Sequence, residues 1–473
     1  PASSNTQELN PEEILKTRTK PDEPAVGQKD ITPPTENTLV TGKGWAKTFG
    51  GDFNSAVNAV QQTSDGGYIV TGWIGSGTIY PKDPNNTIIL EHTAVYLVKM
   101  DANGNEVWNK SFGAPGMSIL EQTESACSSF DLPILCTLNK NNPSGLLDNA
   151  AGHSVQQTSD GGYVIVGVSH GEIDKGYEVF LIKTDANGNM RWNKTFDGEY
   201  YGEIGRSVQQ TSDGGYFIVG MTTSYGVSPY SVKELRQAAP QDIYLIKTDA
   251  NGNKVWKKVF GGTRIDMAFS GQQTSDGGYI VAGLTASWSG KKDARENIYM
   301  ECIGGPIYSE RDLPCAEDMY LLKIDEDGNK MWENTFGMKN NRSEAGYSVQ
   351  QTSDGGYVIV GQTFWHVLDS EGAISWDDAQ SDVYLVKTDA NGNKIWEKTL
   401  GGDKNDYGYS IQQTADKGYI ISGFSKSFGT IKFTDSFGNI LTAAGGKPYL
   451  IKTDSNGNKI WERIFDGGRD KGW

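Results

Sequence analysis

The chain has few of the residues on which enzymes usually build their chemistry. Among 473 residues there are four histidines and four cysteines. No His or Cys spacing matches a metal site, and no Gly-x-Ser-x-Gly elbow or phosphate loop occurs. Positive charge is also short: 43 Lys and Arg stand against 59 Asp and Glu, a formal charge of −16. A surface that grips nucleic acid needs a basic patch, so that class of partner is excluded. No apolar run approaches the ~20 residues of a membrane span. Hydrophobic content is low at 36%, whereas glycine is abundant at 59 residues, which suits many short strands joined by tight turns.

What the chain does have is repetition. The block Gln-Gln-Thr-Ser-Asp-Gly-Gly-Tyr stands at residues 61–68, 156–163, 209–216, 272–279 and 350–357, and returns at 412–419 with Ala415 and Lys417 substituted. A second block of the type Tyr-Leu-Val-Lys-Thr-Asp-Ala-Asn-Gly-Asn-x-x-Trp follows each first block, at residues 96–108, 180–192, 244–256, 320–332, 384–396 and 449–461. Each block reads as a β-hairpin. Strands rich in Val, Ile, Tyr and Trp flank an Asp that caps its own backbone and a Gly that tolerates positive φ. Two hairpins make a four-stranded antiparallel sheet (strands A to D), which cannot bury both faces alone. Six such sheets around an axis can. The expected fold is therefore all-β, a six-bladed β-propeller of four-stranded blades over residues 37–473, carrying a Pro-rich N-terminal extension over residues 1–36. A seventh docking tryptophan, Trp45, ends a shortened second hairpin at residues 38–50. It leaves open a seven-bladed alternative with one incomplete blade.

The Asp-Ala-Asn-Gly-Asn-x-x-Trp block resembles the tryptophan-docking motif of quinoprotein-like propellers, with a turn one residue shorter. The QQTSDGGY units resemble repeats of secreted bacterial and archaeal propeller proteins. The resemblance covers residues 45–466 and implies the architecture; propellers host binding, scaffolding and catalysis alike, so it implies little about activity. A quinone would need a cationic, stacked pocket that the sequence does not announce, and no cofactor is expected. The Asp-x-Asn-Gly-Asn turns look like pieces of calcium loops but lack the distant bidentate Glu, and the turn itself explains them. No metal is expected.

Antiparallel strands put all A–B and C–D turns on one face. Every long insert falls on the other, so one face is uniform and the other elaborated. Internal comparison then singles out one position. Two residues before each Val-Gln-Gln (or Gly- or Ile-Gln-Gln), strand A carries Asn58, His153, Arg206, Phe269, Tyr347 or Tyr409 while its surroundings hold constant. With strand A innermost, these six would ring the axial mouth as a ligand site or, equally simply, plug the channel. Trp288, Trp365 and Trp376 lie in or beside the inserts, where they would either stack on sugar rings or form small loop cores. The candidate acids for a glycosidase, Asp266, Glu344 and Asp406, sit near the D–A loops without an evident pair.

The cysteines fall in two local pairs in irregular inserts, Cys127 with Cys136 and Cys302 with Cys315. Two disulfides in an oxidising compartment are expected, with zinc as the competing reading. Sequons at Asn85, Asn109, Asn193 and Asn341 are compatible with a secreted glycoprotein, and a first residue of Pro1 fits either a removed leader or an arbitrary chain boundary. The overall expectation is an extracellular or cell-surface module that binds or assembles without catalysis. Its expected partners are other copies of itself, through the N-terminal arm or the surplus Trp45 strand, and glycans. The alternative is a carbohydrate-active hydrolase or lyase working at the axial mouth of the insert face.

Overall fold

The computed structural model describes residues 55–81, 87–113, 148–170, 176–196, 202–223, 241–262, 264–287, 317–338, 342–365, 380–427, 430–434, 440–444 and 446–465, all of them strands, turns and short connections. The N-terminal arm and Trp45 lie outside these residues. So do all four cysteines: the expected disulfides joining Cys127 to Cys136 and Cys302 to Cys315 fall in inserts beyond the described strands.

Six four-stranded antiparallel sheets follow one another as the blades of a propeller. Blade I comprises β1 (Ser55–Gln62), β2 (Tyr68–Pro81), β3 (Thr87–Met100) and β4 (Glu106–Phe112). Blade II comprises β5 (Asp148–Gln157), β6 (Tyr163–His170), β7 (Tyr177–Thr184) and β8 (Met190–Phe196). Blade III is β9 (Glu203–Gln210), β10 (Tyr216–Thr222), β11 (Asp242–Thr248) and β12 (Lys254–Phe260). Blade IV is β13 (Asp266–Gln273), β14 (Tyr279–Thr285), β15 (Asp318–Ile324) and β16 (Lys330–Phe336). In blade V these are β17 (Arg342–Gln351), β18 (Tyr357–Trp365), β19 (Gln380–Thr388) and β20 (Lys394–Leu400). Blade VI uses β21 (Asp406–Gln413), β22 (Tyr419–Ser425), β25 (Lys447–Thr453) and β26 (Lys459–Ile464), with an extra hairpin of β23 (Thr430–Thr434) and β24 (Ile440–Ala444) between its second and third strands. The first strands of consecutive blades pack on one another from β1 to β21, so strand A is innermost.

Both turns satisfy themselves. In the A–B turn of blade III, Asp213 Oδ1 accepts from Thr211 Oγ1 at 2.5 Å and from Gly215 N at 3.0 Å. Its charge is met by Lys247 from β11, a buried lysine whose Nζ lies 2.7 Å from Asp213 Oδ2 and 2.7 Å from the Thr248 carbonyl. The same pairing of a strand-C lysine with the turn aspartate recurs in all six blades. Six of the turn aspartates are thus ion-paired to lysines as well as capping their own backbone. In the C–D turn, Asp249 takes up its own loop: Asn251 N and Asn253 N reach Oδ1 at 2.9 and 2.8 Å, and Asn253 Nδ2 reaches Oδ2 at 3.0 Å. Gly252 completes this turn at φ +76°, where an L side chain would be strained. These bonds give the calcium-like sequence a structural role.

Five of the docking tryptophans lie between blades as the repeat predicts. Trp108, Trp192, Trp256 and Trp396 each meet the first tyrosine of the next blade's strand B edge-on, at ring separations of 5.8 to 6.0 Å. Trp332 meets Tyr357 at 5.9 Å in a tilted arrangement. The indoles also cover the turn glycine of that next blade. A Cβ at Gly252 would stand 2.6 Å from Trp192 Cζ3, so only glycine lets the ring approach. Each seam then closes around an apolar cluster such as Val164, Val166, Leu181, Val208, Ile218 and Tyr244 between blades II and III. Burying side chains of this size contributes roughly 1.5–3 kcal/mol apiece.

Candidate functional site

Strand A is regular at its turn end. The paired glutamines there tie blade to blade: Gln210 N donates to Gln156 Oε1 at 2.5 Å, and Ser159 N donates to Gln210 Oε1 at 2.8 Å. This two-bond clamp repeats at each of the five seams from I–II to V–VI, which is why the Gln-Gln-Thr-Ser block hardly varies.

Four residues into the strand the regularity breaks. Pairing with strand B skips one residue in every blade, and the skipped residues are Asn58, His153, Arg206, Phe269, Tyr347 and Tyr409. The six variable positions are therefore the extra residues of six β-bulges. A bulge releases its residue from the ladder and re-aims the side chain, and bulges gather beside binding sites for that reason. A run of alternating apolar residues carries no mark of such an insertion, so the sequence showed which residues vary but not the backbone device that presents them.

The bulge residues divide into two arcs. Asn58 Nδ2 donates to the Gly152 carbonyl at 2.9 Å, and His153 Nδ1 lies 2.8 Å from the Gly205 carbonyl, each reaching across to the next blade. Burial holds the His153 imidazole below its ordinary pKa despite that carbonyl, and the charge of Arg206 adds to the effect, so the ring is neutral at neutral pH. With its Nδ1–H donated to Gly205, Nε2 is left as the acceptor nitrogen. Arg206 is itself desolvated, which lowers its pKa. Its Nε is buried with no hydrogen-bond partner. The guanidinium nevertheless keeps its charge. On the other arc, Phe269 meets Tyr347 edge-on at 5.2 Å, Tyr347 meets Tyr409 at 5.8 Å, and Tyr409 lies parallel to Tyr407 at 6.1 Å. Tyr409 is half exposed, and burial raises the pKa of both Tyr347 and Tyr409, so both hydroxyls stay protonated.

The acids are placed elsewhere. Glu203, Asp266, Glu344 and Asp406 stand at the insert end of strand A in blades III to VI, fully buried. Hydroxyls hold them: Thr222 reaches Glu203 at 2.9 Å, Ser287 reaches Asp266 at 2.7 Å, Thr363 reaches Glu344 at 3.1 Å and Ser427 reaches Asp406 at 2.6 Å. At three seams a second acid comes from strand C of the preceding blade. A Cβ on Gly337 would lie 2.0 Å from Asp318 Oδ1 and 3.1 Å from Glu344 Oε2, and one on Gly401 would lie 2.2 Å from Asp382 Oδ1 and 2.9 Å from Asp406 Oδ2. At the third, burial and the neighbouring charge of Asp266 push Asp242 up to about 7. Sequence reasoning missed these pairs. Their signal was present as an Asp or Glu five residues before Val-Gln-Gln or its equivalent in four of six repeats, and an Asp two residues before the strand-C Tyr in three. Among the described residues no group of three or more His, Cys, Asp or Glu side chains is arranged to hold a metal ion.

Of the remaining candidates, Trp365 ends β18, pairing across to Arg342 and Gln380, and is partly buried. Asn109 lies exposed on β4 with its amide on Glu106 Oε1 at 2.6 Å, and Asn193 is partly buried on β8. Trp288, Trp376, Asn85 and Asn341 fall outside the described residues, as do Cys127, Cys136, Cys302 and Cys315.

Fold and ring together define the class: a six-bladed β-propeller with four-stranded blades. No protein-family profile matches the chain. A stretch of 215 residues, 44% of the chain, is 26% identical to regulatory protein FlaEY of Caulobacter vibrioides, and the chain spans about 20% of that protein's length. Similar solved structures include a protein of unknown function from Dyadobacter fermentans, at 11% identity and TM-score 0.40 over 84% of this chain and 94% of that one. They include the WD40 domain of Neurospora crassa Pan2, at 10% identity and TM-score 0.34 over 80% of this chain and 92% of that one. They also include a putative exo-beta-1,3-galactanase from Bifidobacterium bifidum, at 12% identity and TM-score 0.29 over 67% and 92%.

Proposed function

We propose that the chain is an extracellular binding module without catalytic activity, and that its ligand seats on the bulge ring at the insert end of the axial channel. The observation that carries this reading is the ring itself. One released side chain per blade, on an otherwise constant frame, gives a polar arc of Asn58, His153 and Arg206 beside an aromatic arc of Phe269, Tyr347 and Tyr409. Aromatic faces next to a cation and amide groups suit a glycan, whose ring carbons stack while its hydroxyls or carboxylates hydrogen-bond.

The competing reading is a glycosidase or lyase. It needs two carboxylates flanking a scissile bond. The ring carries none, and the buried acids repeat seam after seam with Thr and Ser partners, which marks a structural device of the blades. Binding of a panel of neutral and acidic oligosaccharides, measured by calorimetry alongside product analysis, tests the proposal. Binding is expected without turnover, and Tyr409→Ala or Arg206→Gln should weaken it about tenfold, a loss of roughly 1.4 kcal/mol. Cleavage of any bound sugar would install the enzyme reading instead.

A further inference from the structure

Among the described residues the six blades form five seams, and the two faces left over do not resemble exposed surface. The first is the leading side of β1. Val60 there is 63% exposed, whereas its counterparts Val155, Val208, Val349 and Ile411 are 6% exposed. The second is the trailing side of blade VI. Ser422 and Pro448 are exposed where blade V buries Val360 and Val383 completely, and Ile420 is only partly covered where Val358 is buried. Five apolar clusters each span two consecutive blades, and among the described residues none spans blades VI and I.

The two faces fit each other. Every internal seam uses a clamp in which one glutamine accepts from a backbone N–H of the next strand A and a second accepts from the preceding turn. Its unused halves are Gln412 on blade VI, facing the place of Gln62 N, and Gln62 on blade I, facing the place of Ala415 N. Both glutamines are exposed. The volumes also match. Strand A elsewhere carries Gly152, Gly205, Ala268, Gly346 or Gly408 against the preceding blade, and a Cβ on Gly408 would lie 2.6 Å from Val360 Cγ2. Blade I alone has the bulky Val57 at that position, and blade VI has the small Ser422 where blade V has Val360. Charge follows the same logic. The acid positions that meet at the later seams are here Ser55 and Lys447, so a chain of formal charge −16 meets this surface with its acids removed.

We infer that the trailing face of blade VI and the leading face of blade I form a seam between two copies of this chain, joined head to tail. Such a contact is heterologous and either closes a ring of copies or extends into a filament. The inference uses end-face residues only and stands apart from any ligand of the bulge ring.

Mixing two single variants tests it. A Gln62→Cys chain and a Gln412→Cys chain, oxidised together, are expected to form a mixed disulfide dimer in clear excess over either homodimer and over the wild-type background. Adding Val60→Glu to the first chain, at a site already exposed, should abolish that product while leaving the melting temperature unchanged. An absent or unselective mixed dimer overturns the inference. So does a Gln62→Cys/Gln412→Cys chain that crosslinks only within itself, because the blades would then close on themselves.

Discussion

The two ends of strand A obey opposite rules. At its turn end Gln156 and Gln157 have counterparts in every blade, whereas at the bulge no polar residue repeats apart from a pair of tyrosines. The difference is one of shared bonds. Gln157 supplies the N–H that meets Gln61 and the oxygen that meets Ser64 N of the preceding blade, so altering it unsettles two sheets. His153 sits outside the ladder, and its side chain is answerable only to what lies in the channel and to Gly205. Among internal repeats, constancy therefore marks positions that two blades share, and variation marks positions free to specialise.

If that distinction holds, disturbing a shared position costs stability and disturbing a ring position costs only function. The largest effect is expected at Trp256, which packs on Tyr279 and Phe217 of the two blades it joins and donates from Nε1 to the Glu326 carbonyl at 3.1 Å. Trp256→Ala should cost about 3–5 kcal/mol in denaturant unfolding. A loss below about 1 kcal/mol would remove the blade packing argued above.

The seam acids come next, because they make stability depend on pH. Asp242 is buried and its folded-state pKa stands near 7, against 3.8 for the ordinary group. The folded chain therefore binds a proton more tightly than the unfolded one. The stability this confers is complete below about pH 4 and is lost as pH rises toward 7. Asp242→Asn keeps the shape and removes the charge. It should stabilise the protein at pH 8 by on the order of 1–3 kcal/mol and much less at pH 5. A difference independent of pH would show that Asp242 is ionised in the folded state.

Lys247 sharpens the comparison on a smaller scale. Burial works against ionisation of Asp213, but hydrogen bonds from Lys247 and Thr211 prevail and hold it at about 2. A carboxylate depressed in this way contributes stability above about pH 4 that is lost as pH falls toward 2. Lys247→Met removes the partner from a buried site while Asp213 stays in contact with water, so a loss of about 1–2 kcal/mol is expected at pH 7. The loss should shrink by pH 2, and melting curves at the two pH values read it directly.

Legibility in the sequence follows the same division. The blades were readable from Asp-Gly turns and Trp spacing because those features are local and repeated six times. The ring was readable as a column of unlike residues, yet its bulges were not, since a bulge is a property of register between strands. Nor were the pairings of Asp242 with Asp266 or Asp318 with Glu344, which join strand C of one blade to strand A of the next, a contact that blade packing creates and local spacing does not mark. Identity of a ligand is the least legible of all, for it depends on six side chains converging from six repeats.

The smallest stability effect is expected where the functional effect should be large. Tyr409 is released by the β21 bulge, half exposed, and touches Tyr347 and Tyr407 by ring contacts. Its contact with the neighbouring blade is a single tilted ring contact with Tyr347, so Tyr409→Ala should change unfolding free energy by less than about 1 kcal/mol. Gln350→Ala, at the turn end of β17, removes the acceptor that Gln413 N meets at 2.6 Å and should cost about 1–3 kcal/mol. Measured side by side, the two substitutions compare a released position with a shared one on the same strand type. If Tyr409→Ala destabilised as much as Gln350→Ala, the aromatic arc would be a plug that holds blades IV to VI together. If it left stability intact and removed ligand binding, the bulges would be the means by which a repetitive frame presents an unrepeated site.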